Sequence, residues 1–134
     1  MAQMFFPGDS TWLASDAPVG VFSAVFEDDG ETGYFYAVER IGSEPKLLDA
    51  VHIYDVRNVA DRDRASQLEI RWASGGRHAA LYIDGVAHAV FDFAARRGCC
   101  RTGFPPPPST TGWSADGHAW REEALAPFAA AEPH

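Results

Sequence analysis

Short runs of apolar residues that alternate with polar ones dominate the middle of the chain. Residues 21–26 and 34–40 are rich in valine and aromatic side chains, and the segment between them contains Asp28, Asp29 and Gly30. β-Branched and aromatic residues favour strands, whereas glycine and aspartate tolerate the backbone conformations of tight turns. This pattern predicts a β-hairpin with an acidic tip.

The same pattern predicts four more strands beyond the hairpin. Residues 47–56 follow a Gly-Ser-Glu-Pro breaker, and residues 67–73, 78–84 and 86–93 are separated by glycine-containing turns. An Asp-Gly pair between the last two is a strong signal for a tight hairpin. The polar stretch 59–66 carries no apolar stripe and predicts a loop or a single helical turn.

The composition changes after residue 93, where arginines and cysteines lead into four consecutive prolines at 105–108. Proline lacks the N–H that a strand needs, so this part predicts an extended or polyproline-type segment. Residues 116–126 are rich in helix formers and predict a short helix that ends before Pro127. The predicted fold is mainly β with minor α: an antiparallel meander sheet of about six strands, strongly bent or barrel-like, with a short C-terminal helix.

Length and composition predict one folded domain. The 134 residues are 46% hydrophobic and 13% aromatic, which is enough for a single core. We expect residues 1–134 to form a single domain with loose termini at 1–10 and 127–134.

The charge is strongly negative and unevenly placed. The 11 basic and 19 acidic residues give a net charge of −8, and nine of the acids lie in the first 50 residues beside only Arg40 and Lys46. An acidic surface repels phosphate, so we expect no nucleic-acid binding and favour a protein partner with a cationic surface. The alternative is that the charge only maintains solubility.

The N-terminal sequence, the lengths of the apolar runs and the cysteines bear on the cellular compartment of the protein. No basic n-region precedes an apolar h-region, and no apolar run reaches the roughly 18 residues that span a membrane. Cys99 and Cys100 are adjacent, a spacing that rarely permits a relaxed disulfide. We therefore expect a cytoplasmic protein with reduced thiols, no membrane association and no cofactor. The oligomeric state stays open.

Two charged clusters are candidate binding residues. The acidic run lacks the ligand spacing of a calcium loop, so it is either a solvated hairpin turn or an acidic recognition tip. The arginine cluster could hold a phosphate or carboxylate, or it could pair with the acidic run of the same chain. The residues concerned are Glu27, Asp28, Asp29 and Glu31 in the first cluster, and Arg96, Arg97 and Arg101 in the second.

A second set of residues could instead line a pocket for a small molecule or a hydrolytic reaction. His52 and His88 lie within apolar strands, and Cys100 is followed directly by an arginine that would favour its thiolate. The alternative catalytic set is His52, His88, Asp92 and Cys100, with Arg101 beside them. Backbone-satisfied histidines and an inert buried cysteine are the competing interpretation. No close-spaced metal-ligand motif is present, so we expect no metal site.

Four segments together resemble a small bacterial family of single-domain proteins of unknown function. They are FEDDGETGYFYA at 26–37, LDAVHIYDV at 48–56, LEIRW at 68–72 and HAVFDFAARRGCCRTGFPPP at 88–107. The resemblance implies a bacterial cytoplasmic protein and supplies no catalytic residue.

The absence of nucleophile, phosphate-loop and zinc motifs favours binding over catalysis. The leading hypothesis is a non-enzymatic acidic module that binds a protein partner, in one version an immunity-type inhibitor of a bacterial toxin. The alternative is a small-molecule-binding protein or hydrolase that uses the histidine and cysteine pocket.

Overall fold

The computed structural model describes residues 2–106 and 111–131, which form two antiparallel sheets. The five-stranded sheet has the order β1-β6-β7-β8-β9, and the four-stranded sheet has the order β2-β3-β4-β5. The strands are β1 (Ala2–Phe5), β2 (Thr11–Asp16), β3 (Phe22–Asp28), β4 (Thr32–Glu39), β5 (Lys46–Asp55), β6 (Ser66–Ala73), β7 (His78–Ile83), β8 (Val86–Asp92) and β9 (Arg97–Cys100).

The two sheets pack face to face through one hydrophobic core. Phe35 of β4 and Phe91 of β8 stack with their ring centroids 5.0 Å apart, and both are fully buried. Phe26 and Val51 join this core from the four-stranded sheet, and Leu81 joins it from the five-stranded sheet. Strand alternation then turns the intervening side chains of the four-stranded sheet outward.

The outer face of the five-stranded sheet is covered by the C-terminal segment. A 3-10 turn at Glu122–Leu125 leads directly into helix α1 (Ala126–Ala131). Phe128 of α1 is buried against Tyr82 and Val90. No helix among the described residues is long and apolar enough to cross a membrane.

The predicted fold class is confirmed: the chain is mainly β, with antiparallel sheets and one short C-terminal helix. The strand order β6-β7-β8 is the predicted meander. Its β7–β8 turn places Asp84 and Gly85 at positive φ, as the Asp-Gly signal requires.

Several elements differ from prediction. Residues 97–100 form strand β9, although we expected no strand between residue 93 and the prolines, and β1 and β2 were not predicted. β1 lies within the segment 1–10 and pairs with β6. The helix begins at Ala126 rather than ending there, because Pro127 sits in its first turn, where a backbone N–H needs no helical partner. Of the predicted proline segment, Pro107 and Pro108 lie outside the described residues.

Candidate functional site

The acidic run divides into buried and exposed residues. Asp28 is 1% exposed and accepts hydrogen bonds from the backbone N–H groups of Gly8 (2.7 Å) and Gly30 (2.8 Å) and from the Tyr54 hydroxyl (2.6 Å). Burial, together with this bond to Asp28, raises the pKa of the Tyr54 phenol. Asp28 is therefore a structural anchor whose carboxylate is buried.

Asp29 shapes the turn itself. Its Oδ1 accepts the N–H groups of Glu31 and Thr32, both at 2.9 Å, and these backbone bonds lower the pKa of the Asp29 carboxyl. A side chain that bonds its own backbone two and three residues on is the usual device for stabilising such turns. Glu27 and Glu31 are then the acids of the run whose carboxylates are not used by backbone groups in the described residues.

Four side chains form a row across the outer face of the four-stranded sheet. The strand register places Trp12 opposite Glu27, Glu27 opposite Tyr34, and Tyr34 opposite His52. Directly opposed residues share a face of a sheet. Trp12 is 61% exposed, and we call these four residues the outer row. The row places a carboxylate between two aromatic rings.

The outer row is held in place by a neighbouring tyrosine. The Tyr36 hydroxyl donates to Glu27 Oε1 at 3.0 Å, and the Tyr36 ring stacks on Tyr34 at 6.1 Å. Burial and the bond to Glu27 raise the pKa of Tyr36 to about 12. The Tyr36 hydroxyl thus stays protonated and keeps its bond to Glu27 at neutral pH.

His52 stands at the end of the outer row, where the loop after β9 folds back onto β5. The His52 N–H donates to the Phe104 carbonyl at 2.8 Å, and the Thr102 hydroxyl donates to the His52 carbonyl at 3.0 Å. The imidazole Nε2 lies 2.9 Å from Asp55 Oδ1, and Nδ1 lies 3.1 Å from Thr102 Oγ1. The imidazole is therefore fixed on both sides.

Cys100 lies beneath this loop and is fully buried. Its thiol lies 3.5 Å from the Phe104 carbonyl and 3.6 Å from Thr102 Oγ1. Cys99 is buried on the other face of β9, where burial raises the pKa of its thiol. Both cysteines are free and buried, as expected for cysteines that are chemically inert.

A cleft with two adjoining chambers opens beside His52. An aromatic chamber of about 430 Å³ and a charged chamber of about 480 Å³ share Thr32 and Asp55. The aromatic chamber is also lined by Tyr34, His52, Thr102 and Phe104, and the charged chamber by Gly30, Glu31, Val56, Arg57 and Arg62.

A separate polar network is buried inside the molecule. Asp49 of β5 accepts hydrogen bonds from His118 Nε2 (2.9 Å) and from the Ser114 hydroxyl (2.6 Å), and Ser114 Oγ accepts the Gly98 N–H at 2.8 Å. Ser, His and Asp are the residue types of a hydrolase triad, but there the histidine lies between the other two. Here Asp49 is the central group, and His118 and Asp49 have no exposed side-chain surface. This network is structural.

Comparison with known proteins agrees with the resemblance seen in the sequence. The sequence profile of a bacterial family described as "Uncharacterized protein conserved in bacteria (DUF2251)" matches residues 5–129. The chain belongs to this family. It is 40% identical over 113 residues to an uncharacterized protein of Haemophilus influenzae, an alignment that covers 79% of this chain and 70% of the relative. No solved structure matches it.

For this family member, the structure separates the residues of the predicted catalytic pocket into three places. His52 and Cys100 meet through Thr102. His88 lies beside Arg101 in the β8–β9 pair, where burial and the guanidinium lower the pKa of His88. Asp92 pairs with His78 at 3.2 Å and also caps the following turn. A shared acid, base and nucleophile arrangement is not formed.

The structure places the three arginines of the predicted cluster in different surroundings. Arg101 donates to the Ala87 carbonyl at 2.9 Å and lies over the Trp120 ring at 3.9 Å. Arg96 sits at positive φ in a turn. Arg97 lines a small cavity with Ser114. Within residues 2–106 and 111–131, no ion pair joins these arginines to Glu27, Asp28 or Asp29.

Sequence reasoning missed most of the cleft. Thr102 and Phe104 come from the segment predicted to be extended or polyproline-type, Arg62 comes from the predicted loop 59–66, and Arg57 lies just before that loop. Phe104 is half exposed, and large exposed apolar side chains often mark binding surfaces, but this exposure is visible only in the folded structure. Among the residues that the structure describes, no three His, Cys, Asp or Glu side chains are grouped to hold a metal ion.

The buried His118 predicts a pH dependence of stability. Burial lowers the pKa of His118, but the bonds to Asp49 and to the Pro105 carbonyl outweigh it and raise the pKa above its ordinary value. Both partners are acceptors, so both ring nitrogens carry protons. The stabilisation is then complete below the unfolded pKa of about 6.5 and is lost as pH rises through the higher folded pKa.

Urea unfolding between pH 6 and pH 9 measures this effect. We expect the free energy of unfolding to fall with rising pH in the natural chain and to fall much less in H118Q. Equal slopes for the two proteins would contradict a charged His118.

Proposed function

We propose that this chain is a non-enzymatic binding module that takes up an extended, cationic segment of a partner protein along the free edge of β2. The observation that carries this proposal is the open edge of β2 beside the outer row. Strand addition to an exposed sheet edge is a common mode of peptide recognition.

The β2–β3 register defines which backbone groups are free. The Ala17 N–H donates a hydrogen bond to the Phe22 carbonyl. Along an antiparallel strand pair, opposed residues are alternately hydrogen-bonded and non-hydrogen-bonded. The pairs of Ser15, Leu13 and Thr11 with β3 are therefore the bonded ones. The N–H and C=O groups of Trp12, Ala14 and Asp16 point away from β3, and β2 ends the described sheet on that side. Three donors and three acceptors are available along this edge.

The side chains beside the edge favour a cationic segment. Trp12 and Tyr34 offer aromatic faces, on which arginine and lysine bind through cation–π contacts, and Glu27 lies between them. The edge carries neither a lysine nor a proline, the residues with which proteins commonly protect edge strands. The net charge of −8 would also oppose pairing of β2 with a second copy of the chain.

One specific version is an immunity-type inhibitor that neutralises a cationic bacterial toxin in the cytoplasm. The acidic first 50 residues support fast, charge-steered association with such a partner. Two free, buried cysteines are consistent with a reducing compartment.

A proline in the free edge tests the proposal. Ala14 is exposed and its N–H points away from β3, so Ala14→Pro removes a donor that only a partner would use. We expect A14P to fold with nearly unchanged stability and to lose capture of the partner from the native bacterial lysate, whereas A14S keeps both. Capture by the natural chain should weaken with salt.

The identity of the captured protein decides between versions. A protein that stops growth when expressed alone, and not when co-expressed with this chain, supports the immunity version. Equal capture by A14P and A14S would contradict edge recognition, and dimers of the natural chain that A14P abolishes would assign the edge to self-association instead.

A further inference from the structure

The two-chambered cleft borders the outer row, with which it shares Tyr34 and His52, and its chemistry defines a class of ligand. Each chamber, at about 430 and 480 Å³, lies within the roughly 300–1,000 Å³ range of small-molecule pockets. Thr32 and Asp55, which are paired across β4 and β5, line both chambers. A ligand that occupied both chambers would pass over these two residues.

The aromatic chamber fits a planar apolar group. Tyr34 meets His52 edge-on at 5.5 Å, and His52 meets Phe104 edge-on at 5.8 Å. Phe104 is 50% exposed although its backbone is tied to His52, so a large part of this residue is accessible at the cleft. Aromatic rings bind other rings in such stacked and edge-on arrangements.

The charged chamber fits a group that carries both charges. Arg57 and Arg62 make no ion pair within the described part of the chain, and the same holds for Glu31. Asp55 bonds His52 through Oδ1, so its other oxygen is available. Two guanidinium groups and two carboxylates line this chamber, so a ligand of one sign alone would meet repulsion from one of the pairs.

The short distance between the aromatic and charged chambers suits one small molecule that carries a ring and both charges. Tyr34 lies two residues from Thr32 along β4, a separation of roughly 7 Å in a strand. We propose that the cleft binds a free aromatic α-amino acid, with its ring against Tyr34, His52 and Phe104, its carboxylate on Arg57 and Arg62, and its ammonium on Asp55 and Glu31. Guanidinium groups bind carboxylates in bidentate geometry, which fixes the orientation.

Titration calorimetry with L-phenylalanine tests this proposal, using three analogues that each lack one feature. 3-Phenylpropionate lacks the ammonium, 2-phenylethylamine lacks the carboxylate, and L-alanine lacks the ring. We expect saturable binding of L-phenylalanine and at least about tenfold weaker binding of each analogue, because each analogue leaves one set of lining groups without its partner.

Variants of the chain test the same proposal from the protein side. R57A/R62A and F104A should each weaken binding of L-phenylalanine by about tenfold or more, whereas R64A, in the same loop but outside the cleft lining, should not. A14P should bind L-phenylalanine like the natural chain, which separates this site from the proposed partner edge. The proposal is overturned if L-phenylalanine does not bind, if either charged analogue binds as tightly, or if R57A/R62A binds like R64A.

Discussion

Asp49→Asn should lower the free energy of unfolding by about 3 to 5 kcal/mol, because it leaves the His118 imidazolium buried without its counter-charge. Asp49 is 1% exposed, and its two carboxylate oxygens bond His118, Ser114 and the Ala50 N–H. Asparagine keeps the shape but presents one oxygen in place of two. Urea unfolding at pH 6, where His118 is charged, measures the loss.

The D49N/H118Q double variant identifies the cause of that loss. If the loss comes from an unpaired buried charge, removing His118 as well should recover part of it, so the two single effects are not additive. Asp116→Asn, at an exposed position near the network, is the matched control and should change little. A D49N variant as stable as D116N would contradict this account of the network.

Local patterns predict the strands that bury a regular apolar face. β3 to β8 each bring apolar side chains such as Phe26, Phe35 and Phe91 inward at alternate positions, and this alternation is visible in the sequence. β2 buries Thr11, Leu13 and Ser15, so two of its three inward residues are hydroxyls and the apolar alternation disappears. Its inward Ser15 instead bonds Trp72 Nε1 at 2.9 Å, which only the folded sandwich reveals.

β9 and the cleft depend on contacts that no local pattern contains. The sequence Arg-Gly-Cys-Cys has little strand propensity, and Gly98 is needed because a Cβ there would come within 2.8 Å of Asp49 Oδ2. His52 was predicted to lie within an apolar strand, and it lies in β5. Its partners Thr102 and Phe104 are about fifty residues away, and Asp49 and His118 are separated by 69. Such long-range pairs are set by the order in which the strands are arranged in the two sheets, which a local sequence pattern does not contain.

Asp28→Ala should destabilise the protein by about 3 kcal/mol or more, because three donors lose their acceptor in a buried site. The Tyr54 ring lies directly over Gly33, where a Cβ would come within 2.7 Å, and so reaches the Asp28 carboxylate across the sheet. The same carboxylate holds the Gly8 N–H in the loop between β1 and β2. Losing Asp28 therefore loosens the connection that positions β2, including its free edge.

The neighbouring acid provides the control for this prediction. Asp29 is exposed and its bonds remain within the turn, so Asp29→Ala should have a much smaller effect than D28A. Asp28→Asn keeps the side-chain volume and should fall between the two, which separates lost hydrogen bonds from lost packing. If D28A and D29A unfold at the same urea concentration, Asp28 does not anchor the turn. If they differ as expected, two adjacent acids with the same sequence signal have opposite roles, one structural and one at the surface.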